Sequence, residues 1–416
     1  MSKLDIGYIR SQFPAFSHPE TGQWAFFENA GGSYAAAPVI EKLNHFMTAT
    51  KMQPYGASAP SREAGEAMDL SHEKLAAAIN AETDEVMFGP STSMNTYVIS
   101  HSMRSMLRAG DEVIVTNQDH EANIGAWWRM GEGDSGIVVR EWQVDAESGL
   151  LDISGLTRLL NERTKLVCVT HCSNIVGAIN DISKISSLVR DAGAWLAVDG
   201  VSFAPHLFPN VKALDVDFYF FSLYKTFGPH QGLLYVRKPV LEQMPNQGHF
   251  FNANSLGKKL TPAGPQHGEI ACASGVVDYL ENVYAHHFPE SENTSDNVQD
   301  RVSAAMHLGH DHEIEQTNRI LGFLRDKQLR IIGDETAVAR KRAPTIAFTG
   351  AKLQPMELAT RCASAQVGIG GDHFYAYRLM QVLGIEPDEG VVRISLVHYT
   401  SAEDVDRLLN ALDEHL

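Results

Sequence analysis

Long apolar runs are missing from this chain, and no stretch approaches the ~18 residues that a membrane-spanning helix needs. The start, Met1-Ser-Lys-Leu-Asp5-Ile-Gly-Tyr-Ile-Arg10, is polar and charged where a secretory leader carries an apolar centre. Both absences predict a soluble, cytoplasmic protein without a membrane partner. Cysteine is scarce: Cys168, Cys172, Cys272 and Cys362 occur, with no Cys-x-x-Cys pair. That usage excludes a disulfide scaffold and fits reducing surroundings. Cys168 lies in an apolar strand and Cys172 in the turn after it, a placement that favours packing over metal ligation. Dense Lys/Arg blocks are also lacking, with 34 basic against 51 acidic residues and a formal charge of -17. This balance disfavours nucleic acid and anionic surfaces as partners, so an anionic ligand must meet a local positive site. Finally, Asn29-Ala-Gly31-Gly32-Ser33 has neither the strand-to-helix setting of a dinucleotide fingerprint nor the lysine of a P-loop, and reads as a tight turn near a pocket.

What is present is a core-forming composition. The 416 residues are 44% hydrophobic and 20% charged, enough for a large domain and a smaller one. Short apolar strands are predicted at Glu85–Phe88, Glu112–Thr116, Leu166–Thr170, Trp195–Val198, Phe218–Phe221 and Leu233–Val236. Helical patterns lie between most of them, at Ser71–Ile79, Thr96–Leu107, Ile153–Asn161 and Ile182–Ala192. Such alternation predicts an α/β fold with a largely parallel sheet covered on both faces. Sites in these sheets form beyond the carboxyl ends of the strands, and Ser91-Thr92-Ser93, His120, Asn174, Asp199 and Ser222 with Lys225 all follow strands.

After about residue 265 the character changes. A helix is expected at Glu269–Glu281, a polar stretch at 289–297, a long helix from Asn297 to Lys327, and then a smaller α+β unit. Its strands are expected at Leu329–Ile332, Thr345–Phe348 and Val391–Leu396, before a terminal helix with the capping signal Ser401-x-x-Asp404. The expected organisation is an N-terminal segment 1–24 packing on the small domain, a large domain 25–268, and linking helices with the small domain over 269–416. His307, His310 and His312 look like a metal tract, but they sit in a helix rich in Asp and Glu and match no strong zinc spacing. They read as a solvated face, and no metal is assigned.

Two buried-strand ends carry the chemistry. Trp195-Leu-Ala-Val-Asp199 ends on a carboxylate, and Phe218-Tyr-Phe-Phe-Ser222-Leu-Tyr224-Lys225 ends just before a lysine. Pyridoxal 5'-phosphate catalysis requires such a pair: the aspartate keeps the pyridine nitrogen protonated and the lysine amine forms the Schiff base. With the surrounding motifs, the chain resembles the class V aminotransferase family of fold-type I pyridoxal phosphate enzymes, nearest its cysteine desulfurase and selenocysteine lyase branch. The resemblance runs from Phe27-Glu-Asn-Ala-Gly-Gly to Asp404-Val-Asp-Arg-Leu. It implies a large, mostly parallel, seven-stranded type of sheet, a smaller C-terminal domain, and a homodimer acting on a small amino acid.

Residue by residue, the resemblance implies that Ser91, Thr92 and Ser93 meet the cofactor phosphate at a helix N-terminus, where they also suit a plain N-cap. In Asp119-His120-Glu-Ala-Asn123, His120 is implied to stack over the pyridine and to relay a proton. Asn174 would reach the cofactor hydroxyl and the substrate carboxylate, Ser222 and Tyr224 the phosphate, and Arg393 the substrate carboxylate through its bidentate fork. Asn29 and Gly31 are expected to shape the substrate pocket.

The departures bear on the reaction. Where desulfurases of this branch carry a persulfide-forming cysteine in a Gly-His-His-Cys segment, this chain has Gly371-Asp372-His373-Phe374. Ser202 stands where a glutamine is common near the cofactor hydroxyl, Tyr224 replaces a histidine, and His267 falls where a neighbouring subunit often supplies a threonine. The expected function is a lyase cleaving at or beyond Cβ of a small amino acid without a persulfide cysteine, Lys225 being the base and His373 with Asp372 delivering a proton or forming a structural loop pair. An aminotransferase, a racemase or epimerase, and a non-catalytic cofactor-binding protein are the alternatives.

Overall fold

The computed structural model describes residues 3–288 and 297–416. The expected polar stretch after Phe288 therefore lies outside the described residues except for Asn297. In chain order the strands are β1 (Ala25–Phe26), β2 (Val86–Gly89), β3 (Glu112–Thr116), β4 (Val138–Trp142), β5 (Thr164–Thr170), β6 (Trp195–Asp199) and β7 (Phe218–Ser222). They continue with β8 (Gly232–Val236), β9 (Arg330–Ile332), β10 (Thr345–Thr349), β11 (Val367–Gly368), β12 (Gly370–Asp372) and β13 (Val391–Ser395).

The large sheet has seven strands in the order β2-β8-β7-β6-β5-β3-β4. All neighbours are parallel except β8, which runs antiparallel to both β2 and β7. The central strands β5, β6 and β7 are almost wholly buried because helices cover both faces, which is why they read as continuous apolar runs. β4 was not anticipated: Val-Val-Arg-Glu-Trp is an edge strand, mostly half-exposed, and carries charge toward solvent. A second sheet, β12-β13-β10-β9, is antiparallel throughout.

Packing crosses the expected domain boundaries. β1 pairs with β11, and Ala25 and Phe27 belong to the core beneath the small sheet. Conversely Cys272, Val276, Tyr279, Val302 and Met306, beyond residue 268, pack into the large core. Helix Val298–Asp326 spans both, since its Ile320, Leu321 and Leu324 belong to the small core. The N-terminal segment is likewise shared. Ile9 and Phe13 enter the large core, whereas Arg10 forms a 2.5 Å ion pair with Asp404 on the terminal helix. That helix starts with the anticipated capping box at Ser401 and Asp404.

The histidine tract is corrected. Only His307 has the local character expected, folding back on its own helix at Ser303. His310 is 1% exposed and faces the equally buried Glu313, which His206 also contacts at 3.1 Å. His312 reaches the Thr400 carbonyl at 2.8 Å. Burial pushes Glu313 up to about 7 and His206 down to about 3, so this is an internal polar junction between the helix and its neighbours. Among the described residues no group of His, Cys, Asp and Glu could hold a metal ion, and no helix is long and apolar enough to cross a membrane.

Candidate active site

The carboxyl ends of β2, β3, β5, β6 and β7 converge on a cavity of about 220 Å³. Its lining includes Ser91, Thr92, Ser93, His120, Asn174, Asp199, Ser202, Ser222, Tyr224 and Lys225. Most of the anticipated site is therefore brought to one place by a single topological rule: the loops leaving parallel strands meet at the same edge.

One corner of the cavity is a cradle for an oxyanion. Ser91 caps helix Thr92–Arg104, accepting the Met94 N–H at 3.2 Å, and the Thr92 and Ser222 hydroxyls lie 2.8 Å apart. β8 starts at this corner with Gly232, opposite both Gly89 and Ser222. A Cβ at Gly232 would come within 2.4 Å of the Ser91 carbonyl carbon and 2.5 Å of the Thr92 nitrogen. Only the missing side chain lets the helix N-terminus settle here, with its dipole and free N–H groups facing the cavity. We expect Gly232→Ala to raise the cofactor dissociation constant at least roughly tenfold by displacing these N–H groups. Equilibrium binding of the cofactor, with circular dichroism to verify the fold, measures this; unchanged affinity would show that the corner holds no phosphate.

The floor is charged and buried. Asp199, 4% exposed, accepts the Val201 N–H at 2.8 Å. Burial raises it to about 6, against the lowering effects of that N–H and of Lys225. Lys225 is lowered to about 8, first by burial and then by Arg393, with Asp199 opposing. A buried lysine with an accessible neutral form suits covalent chemistry with a carbonyl. Behind Asp199, His171 stacks on Phe203 at 3.5 Å and meets the Tyr219 hydroxyl at 2.8 Å. Next to β3, Asp119 is raised to about 7, chiefly by burial and further by Asp199, while the Thr116 hydroxyl and the Asn123 amide at 2.9 Å hold it.

His120 accepts the Ala122 N–H on Nδ1 at 2.9 Å, which leaves Nε2 as the protonated nitrogen of a neutral ring. Burial, Lys225, Arg393 and His373 push it down to about 3, so it stays neutral at ordinary pH. The His120 and Tyr375 rings stack with centroids 5.1 Å apart. His373 is near enough to act on His120 electrostatically; its Nδ1 accepts the Tyr375 N–H at 3.0 Å, and its Nε2 is 3.7 Å from Asp372. Arg393, 5% exposed in β13, reaches the Asn174 carbonyl at 3.4 Å. Gly31 borders it, since a Cβ there would lie 3.9 Å from Nη2.

Gly31, His373 and Arg393 adjoin the site through these contacts without being part of the cavity lining, and Asn29 and His267 stand elsewhere. The Asn29 amide donates to the Ser395 carbonyl at 2.9 Å and to Phe26, and accepts the Tyr399 hydroxyl. Both its ends are used to join the first turn to the small domain, so it supports the pocket rather than offering a group to substrate. His267 lies at a separate cleft with Leu43, Phe46 and Met47 and does not line the cavity of its own chain. Among the lining residues with no role assigned from sequence is His230, after Gly228-Pro229, which stacks on Tyr224 with ring centroids 4.6 Å apart and planes 2° from parallel. The Gly-Pro turn was its only signal, because the stacking exists only once the turn folds back.

The residues present fit pyridoxal phosphate: the cradle for a phosphate, the buried carboxylate for a ring nitrogen and the lysine for an aldehyde share one cavity. The family pattern of Aminotransferase class-V matches residues 25–267 and 302–408. The chain is 35% identical to the Aminotransferase-like protein FGM3 of Gibberella zeae, over 99% of this chain and 98% of that protein. It is 31% identical to the Cysteine desulfurase-like protein ustD of Aspergillus flavus, over 99% and 90%, and 27% identical to a cysteine desulfurase of Serratia proteamaculans, over 98% and 97%. In fold it is similar to the apo cysteine desulfurase of Thermococcus onnurineus NA1, with a TM-score of 0.84 and 24% identity over 100% of this chain and 99% of that one. A match that spans both sheets and the whole cavity leaves one assignment: the chain belongs to the class V aminotransferase family, in its cysteine desulfurase-like part, and is a pyridoxal 5'-phosphate-dependent enzyme.

Proposed function

We propose that the protein is a lyase that cleaves a bond at or beyond Cβ of a small amino acid and uses no persulfide cysteine. One observation carries this reading: none of the four cysteines is placed to act as a mobile thiolate. All are buried, and burial pushes Cys172 and Cys272 up to about 12, Cys362 to about 11 and Cys168 well above the ordinary thiol range. Cys172 borders the cavity but is 1% exposed, in the turn that follows β5. A neutral, buried thiol cannot attack a sulfur atom effectively.

Within this reading Lys225 would hold the cofactor and serve as the base for the α-proton. Asp199 would pair with the ring nitrogen and Ser202 with the ring hydroxyl, while Ser91, Thr92, Ser93, Ser222 and Tyr224 would hold the phosphate. His120 covers the ring as a flat neutral imidazole. Arg393, with Asn174 and Gly31 beside it, receives the α-carboxylate. When bound, pyridoxal phosphate would supply the electron sink that allows either sulfide to leave Cβ with its bonding pair or sulfur dioxide or carbon dioxide to leave with that pair retained at Cβ, which then takes up a proton. His373, beside Asp372 at the rim, gives a proton to a leaving group that needs one. We also propose a homodimer, in which His267 serves the neighbouring cavity.

The name of the FGM3 relative supports a second reading, an aminotransferase. The deciding experiment uses the purified protein with bound cofactor: borohydride reduction, mass mapping of the modified residue, then addition of cysteine, cysteine sulfinate and aspartate. Label on Lys225 with the cofactor spectrum retained is expected, together with either sulfide, pyruvate and ammonia from cysteine, or alanine with sulfur dioxide from cysteine sulfinate or with carbon dioxide from aspartate. Accumulation of pyridoxamine phosphate would establish the aminotransferase instead. Bound cofactor without turnover on a broad amino-acid panel would mean a binding protein.

A further inference from the structure

The segment that replaces the persulfide loop is anchored, and its anchors converge on Arg393. The Arg393 guanidinium carbon lies over the Phe374 ring, 3.6 Å from its centroid. The Phe374 carbonyl accepts the Asn174 amide at 2.9 Å, and Asn174 in turn presents its own carbonyl to Arg393 Nη1. One residue thus touches both groups assigned to the substrate carboxylate.

The seat for this ring is built into the sheet. Gly370 on β12 is paired directly opposite Arg393 on β13, so a side chain at 370 would share the Arg393 face. A Cβ there would fall 2.7 Å from Cζ and 2.8 Å from Cε1 of Phe374. The glycine leaves the space over the guanidinium free, and the aromatic ring fills it. The backbone is bent to put it there: Phe374 and Tyr375 both have left-handed φ, +48° and +60°, a conformation that bulky residues adopt only under external constraint. The constraint comes from the Asn174 bond to Phe374, from the Glu121 N–H to the Tyr375 carbonyl at 2.8 Å, and from His373.

We infer that Phe374 is a positioning residue for the carboxylate clamp, its ring backing the guanidinium plane so that the edge of the fork stays turned to the pocket. This rests on the reading of Arg393 as the clamp. Cation–π contact uses the face of a guanidinium and a carboxylate uses its edge, so the two do not compete. The ring fixes the plane and keeps water from the back of the fork, which strengthens the ion pair formed at its edge.

The test is ligand binding to the enzyme with its cofactor, followed by absorbance, using glycine and ethylamine. The two share the amine, and only glycine has the carboxylate. Phe374→Leu, which keeps apolar volume but has no π face, is expected to weaken glycine binding about tenfold and leave ethylamine binding unchanged. Phe374→Tyr is expected to restore glycine binding. Arg393→Gln should reduce glycine to the level of ethylamine. If Arg393→Gln does this while Phe374→Leu leaves glycine within about twofold of the parent, the clamp stands and the inference falls. Equal weakening of glycine and ethylamine in Phe374→Leu would make the ring a general wall and also overturn it. A glycine preference that survives Arg393→Gln would overturn the clamp itself.

Discussion

Lys225→Ala is expected to reduce turnover by at least roughly three orders of magnitude, because on the proposed reading one residue supplies both the covalent attachment and the proton base. Cofactor should still enter the cavity, since the cradle at Ser91, Thr92 and Ser222 is untouched, but borohydride should no longer fix it to the chain. The parent protein adds a signature in pH. The nucleophile is the neutral amine, and Lys225 is lowered to about 8, so capture of the aldehyde by cofactor-free protein should accelerate as pH rises through that value. An ordinary surface lysine would delay this rise to much higher pH. Stopped-flow absorbance on parent and variant measures both effects, and capture by the alanine variant at the parental rate would remove Lys225 from the chemistry.

Asp199→Asn is the second large effect. Asparagine matches the carboxylate in shape and still accepts the Val201 N–H, but it has no charge to hold a proton on a ring nitrogen. Turnover should fall roughly 10²- to 10³-fold, the scale on which removal of a preorganised electrostatic partner is felt. The same substitution removes the group that raises Lys225, while burial and Arg393 continue to lower it. The pH midpoint of cofactor capture should therefore move down from about 8, a shift that loss of fold would not produce. Full turnover in the asparagine variant, or a midpoint moving up, would contradict this role.

The large sheet was legible because its central strands are buried on both faces, so Leu-Val-Cys-Val-Thr170 and Phe-Tyr-Phe-Phe-Ser222 end abruptly where polar chemistry begins. Asp199 and Lys225 stood out for the same reason. The edge strand at Val138–Trp142 was not legible, since its charged positions mimic a loop, and neither were the glycine-containing strands of the small unit. Asn29 carried the family's pattern but not its own partner: Tyr399 reaches it only after the C-terminal strand folds back along the first turn. His310 and His312 were misread because composition describes a helix as a whole, whereas His206 and Thr400 determine which of its faces is covered. Phe374 could be read as an absent cysteine but not as a ring on an arginine, because Gly370 and Arg393 become neighbours only through sheet pairing.

The long helix Val298–Asp326 has a consequence for cooperativity. Its N-terminal half supplies Val302, Ala305 and Met306 to one core and its C-terminal half supplies Ile320, Leu321 and Leu324 to the other, with the buried His310–Glu313 pair between them. Neither core can loosen without baring half of a rod that the other still grips, and helical order propagates along such a rod more easily than it breaks. The two units are thereby expected to melt as one, and Arg393 and Phe374, which the small unit brings up to Asn174, share the stability of the large one.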